Sequence, residues 1–257
     1  MSRKTRGFPL SLFKISARAA FGLALTLLPS SASLSSAPCQ AAAGRQPDLK
    51  PRLDPSPAAQ QVAPQAPRPL ANRVVLLDAG HGGTDPGTMW GNYKEKNITL
   101  AVVLSLKAKL IALGARVETT RDTDTTVALQ DRLDKSNQTC PDVFVSVHVN
   151  AVKSSAINGI ETYWYDQRDQ ALADLSLSTV ATNLKETPKW SHQRTLKVLH
   201  DNNVPATLVE VGYLTNARTR KLLVTKSYQD RIASALADTL LAYFKNPNSE
   251  RGCPLVA

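Results

Sequence analysis

Two histidines and two glutamates, His81, Glu95, His148 and Glu210, are the residues in this chain whose types and placement could do hydrolytic chemistry. Catalytic zinc takes three nitrogen or oxygen side chains and keeps a fourth position open, so two imidazoles and one carboxylate make a ligand set. The remaining carboxylate is then free to move a proton. Amide hydrolysis needs both functions, because the carbonyl must be polarised and a proton must pass from water to the leaving nitrogen. Taken singly, each residue is ordinarily structural or solvated. The joint pattern carries the reading.

Such residues must be delivered by elements that end where they begin. The apolar run 74–77 enters the Gly-rich turn around His81, the strand 143–147 delivers His148, and the strand 206–209 ends at Glu210. Glu95 opens a helix in which Leu100, Val103, Leu104, Leu110 and Ile111 recur at helical spacing, with Gly114 as its stop. Further strands are expected over 116–120 and 159–165. Helices are expected over 125–137, with Leu129 and Leu133 inward, over 170–185, briefly over 195–199, and over 227–244. This alternation predicts a single α/β domain with a mostly parallel or mixed sheet, helices on both faces, and ligands at the carboxyl ends of the strands.

Three segments in order, Asp78-Ala79-Gly80-His81-Gly82-Gly83-Thr84-Asp85-Pro86-Gly87 with Glu95-Lys96-Asn97, then Ser146-Val147-His148-Val149-Asn150-Ala151, then Glu210-Val211-Gly212-Tyr213-Leu214-Thr215-Asn216, resemble the zinc-dependent N-acetylmuramoyl-L-alanine amidases. The resemblance covers essentially the whole folded region. It implies a six-stranded α/β fold, a zinc ion held by His81, Glu95 and His148, and catalysis by Glu210. The substrate it implies is the peptidoglycan amide between the lactyl group of N-acetylmuramic acid and the L-alanine of the stem peptide. Departures are Ala79, Val149 and Tyr213, where proline, alanine and phenylalanine are common. The family-like stretch Arg132 to Asn137 lacks the usual alanine before its asparagine, and neither residue is given a catalytic role. Some relatives carry a helix that plugs the zinc site until an activator displaces it. The stretch 166–204 is mostly filled by the expected connecting helices, so activity without an activator is expected; the chain is also expected to be a monomer.

Around these four residues several readings stay open. Asp78, Asp85 and Asn150 lie close enough in sequence to orient the imidazoles. The glycines near His81 would leave room for a polymer strand. Thr215 and Asn216 either contact the peptide or cap the next helix. Trp90 and Tyr93 either line a glycan groove or pack as a lid. His192 and His200 are expected at the surface without partners. A zinc carboxypeptidase would place its first ligands as His-x-x-Glu, but Thr84 fills that slot. An inactive wall-binding relative would be expected to lose Glu210 or a ligand.

The chain carries 31 basic and 21 acidic residues, and the first 41 residues hold five of the bases and no acid, which leaves 26 against 21. This mild surplus suits an anionic wall polymer, and nothing interleaves arginine with aromatics as a nucleic-acid platform would. Residues 1–41 have a basic start, an apolar run over 19–28 and small residues after it, which predicts a cleaved signal peptide and export to the periplasm, wall or exterior. The run is too short for a permanent span. Residues 42–72, rich in Ala, Pro and Gln, are expected to be a linker, 73–245 the catalytic domain and 246–257 a tail. After export Cys140 and Cys253 either pair or remain a buried thiol and a tail thiol.

Overall fold

The computed structural model describes residues 67–247 and Gly252. The expected leader, most of the linker and nearly all of the tail, Cys253 included, lie outside the described residues. In chain order the elements are β1 (Val74–Ala79), β2 (Met89–Trp90), β3 (Tyr93–Lys94), α1 (Glu95–Ala112), β4 (Arg116–Thr119), α2 (Leu129–Thr139), β5 (Val143–Asn150), β6 (Ile160–Trp164), α3 (Gln167–Leu184), β7 (Pro188–Gln193), α4 (Lys197–His200), β8 (Ala206–Tyr213), α5 (Ala217–Leu223) and α6 (Lys226–Lys245). Six strands form one sheet in the order β4-β1-β5-β8-β6-β7, while β2 and β3 make a small hairpin. The pairs β1/β4, β1/β5 and β5/β8 are parallel; β6 runs antiparallel to β8 and parallel to β7.

Period-two alternation sorts each central strand between two cores. Val75, Leu77 and Ala79 of β1, Val143, Val145 and Val147 of β5, and Val209 and Val211 of β8 join the larger cluster with residues of α1, α3, α5 and α6. Leu76, Phe144 and Leu208 point the other way, into a smaller cluster with Val198 and Leu199 of α4. His148 and Glu210 share that second face. From β1 the chain goes out to β4 on one side and returns to β5 on the other, so the crevice between β1 and β5 at their carboxyl ends is the switch point where ligands bind in such sheets.

Several expectations need correcting. The sixth strand, β7, was not foreseen, because its sequence Pro-Lys-Trp-Ser-His-Gln has no apolar alternation: it is an edge strand, and proline at its start is tolerated there. α2 begins at Leu129 rather than 125, and Leu129 is exposed instead of inward. α5 precedes the last helix. In α1 the buried stripe is Ile98, Val102, Val103, Leu106 and Leu110, while Leu104 and Ile111 face outward. Cys140 ends α2 in the left-handed region and is disulfide-bonded, so it is not a free thiol. Among the described residues no helix is long and apolar enough to cross a membrane.

The orientation of α1 is testable by urea unfolding. Leu106→Ala, at a fully buried position, should cost about 2–5 kcal/mol, and Ile111→Ala well under that.

Candidate functional site

β1 ends in a turn whose carbonyls are gripped by two buried arginines. Arg121 donates to the Ala79 and Gly80 oxygens at 2.9 and 3.0 Å, and Arg132 donates to Ala79 and His81 at 2.8 and 2.7 Å. Arg121 also reaches the Lys96 carbonyl at 2.9 Å, which ties the start of α1 to the same turn. So held, His81 adopts φ of 61°, a left-handed conformation that is uncommon outside glycine but tolerated by histidine. Two glycines make space for the site itself. A Cβ on Gly80 would fall 2.4 Å from the His148 ring, and one on Gly87, at φ of +65°, would fall 2.5 Å from the His81 ring. Gly82 and Gly83 lie equally close to Thr125 and Thr126. The glycines therefore admit the protein's own side chains, not the polymer strand expected from sequence.

Glu95, the first residue of α1, joins the two histidines. Its Oε2 lies 3.2 Å from His81 Nε2 and its Oε1 lies 3.0 Å from His148 Nδ1. The backbone N–H groups of Thr88 and Val149 donate to the same carboxylate, each at 2.8 Å. The rings of His81 and His148 meet edge to face, with centroids 4.9 Å apart. One donor atom from each of the three residues lies within 4.8 Å of the others. Glu95 is 3% exposed, and among the described residues no lysine or arginine pairs with it. Burial would raise its pKa, yet the two histidines outweigh that and hold it far below the usual carboxylate range. For His81 burial acts to lower the pKa, but Glu95 and Asp85 prevail and raise it. Two imidazoles and a buried carboxylate lacking a permanent cation fit a divalent metal.

Of the three residues expected to orient the imidazoles, only Asp85 does so, accepting from His81 Nδ1 at 2.7 Å. Asp78 is instead buried against Arg132 at 2.5 Å, with Ser146 and Thr120 donating to it. Burial raises its pKa, but the guanidinium and these hydrogen bonds outweigh that and set it below the ordinary value. Asn150 donates to Glu161.

Glu210 lies directly across from His148 on the sheet, on the same face. The residue is half-buried, but its Oε2 is cut off from solvent and has no hydrogen-bond partner among the described residues. Burial, then the negative charges of Glu95 and Glu161, push its pKa well above the usual carboxylate value. A cleft of about 460 Å³ is walled by His81, Arg132, His148, Leu129, Leu196 and Leu208.

Sequence reasoning missed Glu161, which pairs with Glu210 from the other side and is itself buried. It accepts from Asn150 Nδ2 at 2.9 Å, from the Tyr163 hydroxyl at 2.8 Å and from the Tyr213 hydroxyl. Tyr213 is the position where phenylalanine is common, so here the added hydroxyl has a specific receiver. An acid on the inward face of a strand, two residues before a tyrosine, was the available signal. Arg121 had none, since nothing in sequence marks an arginine as buried, and Arg132 stood out only as part of a family-like stretch. Asn216 caps α5 by accepting from Thr219 N–H, and the Thr215 hydroxyl accepts from Val152. His200 is exposed but partnered, bonding Asp201 and meeting the Tyr165 ring at a tilt, and His192 lies beside Trp190.

Fold and site together define an α/β domain with a His-Glu-His cluster suited to a metal at the switch point of its sheet. The family model described as N-acetylmuramoyl-L-alanine amidase matches residues 75–242, and the chain belongs to that family. The probable cell wall amidase LytH of Staphylococcus saprophyticus is 36% identical over 180 residues, covering 69% of this chain and 60% of the relative. The chain thus matches about 60% of the length of such curated relatives. Among solved structures, the catalytic domain of CwlV, an N-acetylmuramoyl-L-alanine amidase from Bacillus (Paenibacillus) polymyxa var. colistinus, is 33% identical with a TM-score of 0.65, covering 67% of this chain and 98% of that one. The CwlD amidase from Clostridioides difficile, solved with the GerS lipoprotein, is 29% identical with a TM-score of 0.66, covering 68% and 99%.

The Asp78–Arg132 pair makes a pH-dependent prediction. A carboxylate whose folded pKa is depressed contributes stability above its unfolded value of 3.8, and that contribution is lost as pH falls below it. Arg132→Met leaves Asp78 buried and unpaired, which should cost about 3–5 kcal/mol at neutral pH. The gap to the unaltered protein should narrow as pH is lowered toward the acid range, measured by urea unfolding across pH.

Proposed function

We propose that the protein hydrolyses the amide between N-acetylmuramic acid and L-alanine in bacterial peptidoglycan, with zinc held by His81, Glu95 and His148 and with Glu210 as the acid–base group. The observation that carries this reading is the shielded, unpartnered Oε2 of Glu210, one strand across from His148. When bound, zinc supplies Lewis-acid stabilisation of the negative charge that develops on the amide oxygen. Asp85 fixes the His81 ring through Nδ1, so that Nε2 faces Glu95. Glu210 takes a proton from the attacking water and returns it to the leaving nitrogen. Leu129, Leu196 and Leu208 give the cleft apolar walls that suit the small lactyl and alanyl groups and limit bulk water.

Family membership and the amidases among the similar structures support this reading over a carboxypeptidase, and the presence of all four residues supports it over an inactive relative. The leader at 1–41 and linker at 42–72 fit export to the periplasm, wall or exterior, with the catalytic domain at 73–245 and a tail at 246–257. Mass analysis of digested peptidoglycan tests the bond. Stem peptides beginning with a free L-alanine amine are expected; cleavage only within the peptide or the glycan would overturn the assignment.

Metal content should be about one zinc per chain and should be lost in His81→Ala and His148→Ala, as read by metal analysis after dialysis. Glu210→Gln should keep the metal while turnover drops at least about a hundredfold.

The domain is further proposed to act as a monomer without an activator. Between β6 and β8 the chain is used by α3, β7 and α4, which leaves no length for a plugging helix there. Residues 42–257 should release dye-labelled peptidoglycan fragments unaided. Negligible release that a protein factor restores would refute this.

A further inference from the structure

The hairpin formed by β2 and β3 has no role in the site as described so far. It grows directly out of the cluster. Its closing rung is Thr88 and Glu95, joined by the Glu95 N–H to the Thr88 carbonyl at 2.9 Å and by the Thr88 N–H to the Glu95 carboxylate at 2.8 Å. The next rung pairs Met89 with Lys94, and the outer rung pairs Trp90 with Tyr93 across the Gly91-Asn92 turn. Cross-strand partners share a face, so the two aromatic residues lie on one face of the hairpin.

A lid packed for stability would bury these side chains. Instead Met89 is 54% exposed, Trp90 46% and Tyr93 42%. The Arg220 guanidinium covers the Trp90 ring at 4.6 Å, and it is held in turn by the Leu214 and Thr215 carbonyls of the segment that follows Glu210. Trp90, Asn92, Tyr93, Arg220 and Lys221 border a depression of about 460 Å³. A half-exposed Trp90 ring braced by a fixed cation is preorganised, which costs little further ordering when a ligand stacks on it.

Resting on the peptidoglycan reading above, we propose that this hairpin is a saccharide-stacking platform that binds the glycan strand beside the muramoyl residue whose amide is cut. A pyranose ring offers an apolar C–H face to an aromatic ring and hydroxyl or acetamido groups to its rim, which Asn92, Arg220 and Lys221 can meet with donors. Arg220 and Lys221 also complement the carboxylates of an anionic wall polymer. The geometry sets the register. Two residue steps along β3 separate the aromatic pair from Glu95, about 7 Å at strand spacing. The platform therefore takes a sugar neighbouring the muramoyl group, not that group itself.

The test uses the full chain and two readouts. In calorimetry, a β-1,4-linked tetramer of N-acetylglucosamine should bind the unaltered protein, and Trp90→Ala and Tyr93→Ala should each weaken binding about tenfold or more, with Trp90→Phe retaining most of it. In kinetics, the ratio of kcat/KM for uncross-linked glycan strands to that for a single-sugar muramoyl peptide should fall by a similar factor in the alanine variants, carried by KM. Absence of tetramer binding by the unaltered chain, or equal binding by all variants, overturns the platform. Failure of the unaltered chain to cleave either substrate overturns the amidase reading instead, and the calorimetry still decides the platform.

Discussion

A peptide carbonyl that enters a protein interior needs a donor, and the turn after β1 brings in three in succession. Arg121 and Arg132 supply those donors, and Asp78 neutralises Arg132 from the strand itself. A neutral donor could satisfy one carbonyl. A guanidinium fork satisfies two at fixed spacing, so the backbone path is set rather than merely permitted. The left-handed His81, the position of Glu95 through the Lys96 carbonyl, and the opening of the cleft beside Arg132 all follow from that grip.

Charge is the second constraint on this face of the sheet. Glu95, Glu210 and Glu161 bring three carboxyl groups close enough to influence one another. Each is handled differently. Glu95 is shared between imidazoles and backbone amides, Glu161 is satisfied by an amide and two phenols, and Glu210 keeps one oxygen free. The Tyr213 hydroxyl belongs to this arrangement, since phenylalanine would leave Glu161 with one donor fewer in a region already crowded with negative charge. The same contacts fasten the ends of β5, β6 and β8 together.

Much of this architecture was legible in the chain. Apolar runs ending in His148 and Glu210, and a helix opening at Glu95, are local patterns, and the sheet brings their ends together as the alternation implied. What escaped was non-local. β7 is a polar edge strand whose pairing depends on β6 rather than on its own composition, and Leu129 sits at a helix start where no core reaches it. The glycines were read as open space because sequence shows a missing side chain but not the neighbour that fills the gap. Buried arginines escaped for the related reason that charge alone predicts exposure.

Nearly everything that orients His81, Glu95 and His148 is supplied by the polypeptide. Backbone amides of Thr88 and Val149 hold the carboxylate, Asp85 holds one ring, and Gly80 seats the other. In small zinc modules the ion is the staple, and chelation unfolds the chain. Here the scaffold stands by other means, so an ion would enter a finished socket and could leave it without dismantling the domain. Folding and the binding of an ion would then be separate events, each with its own set of contacts.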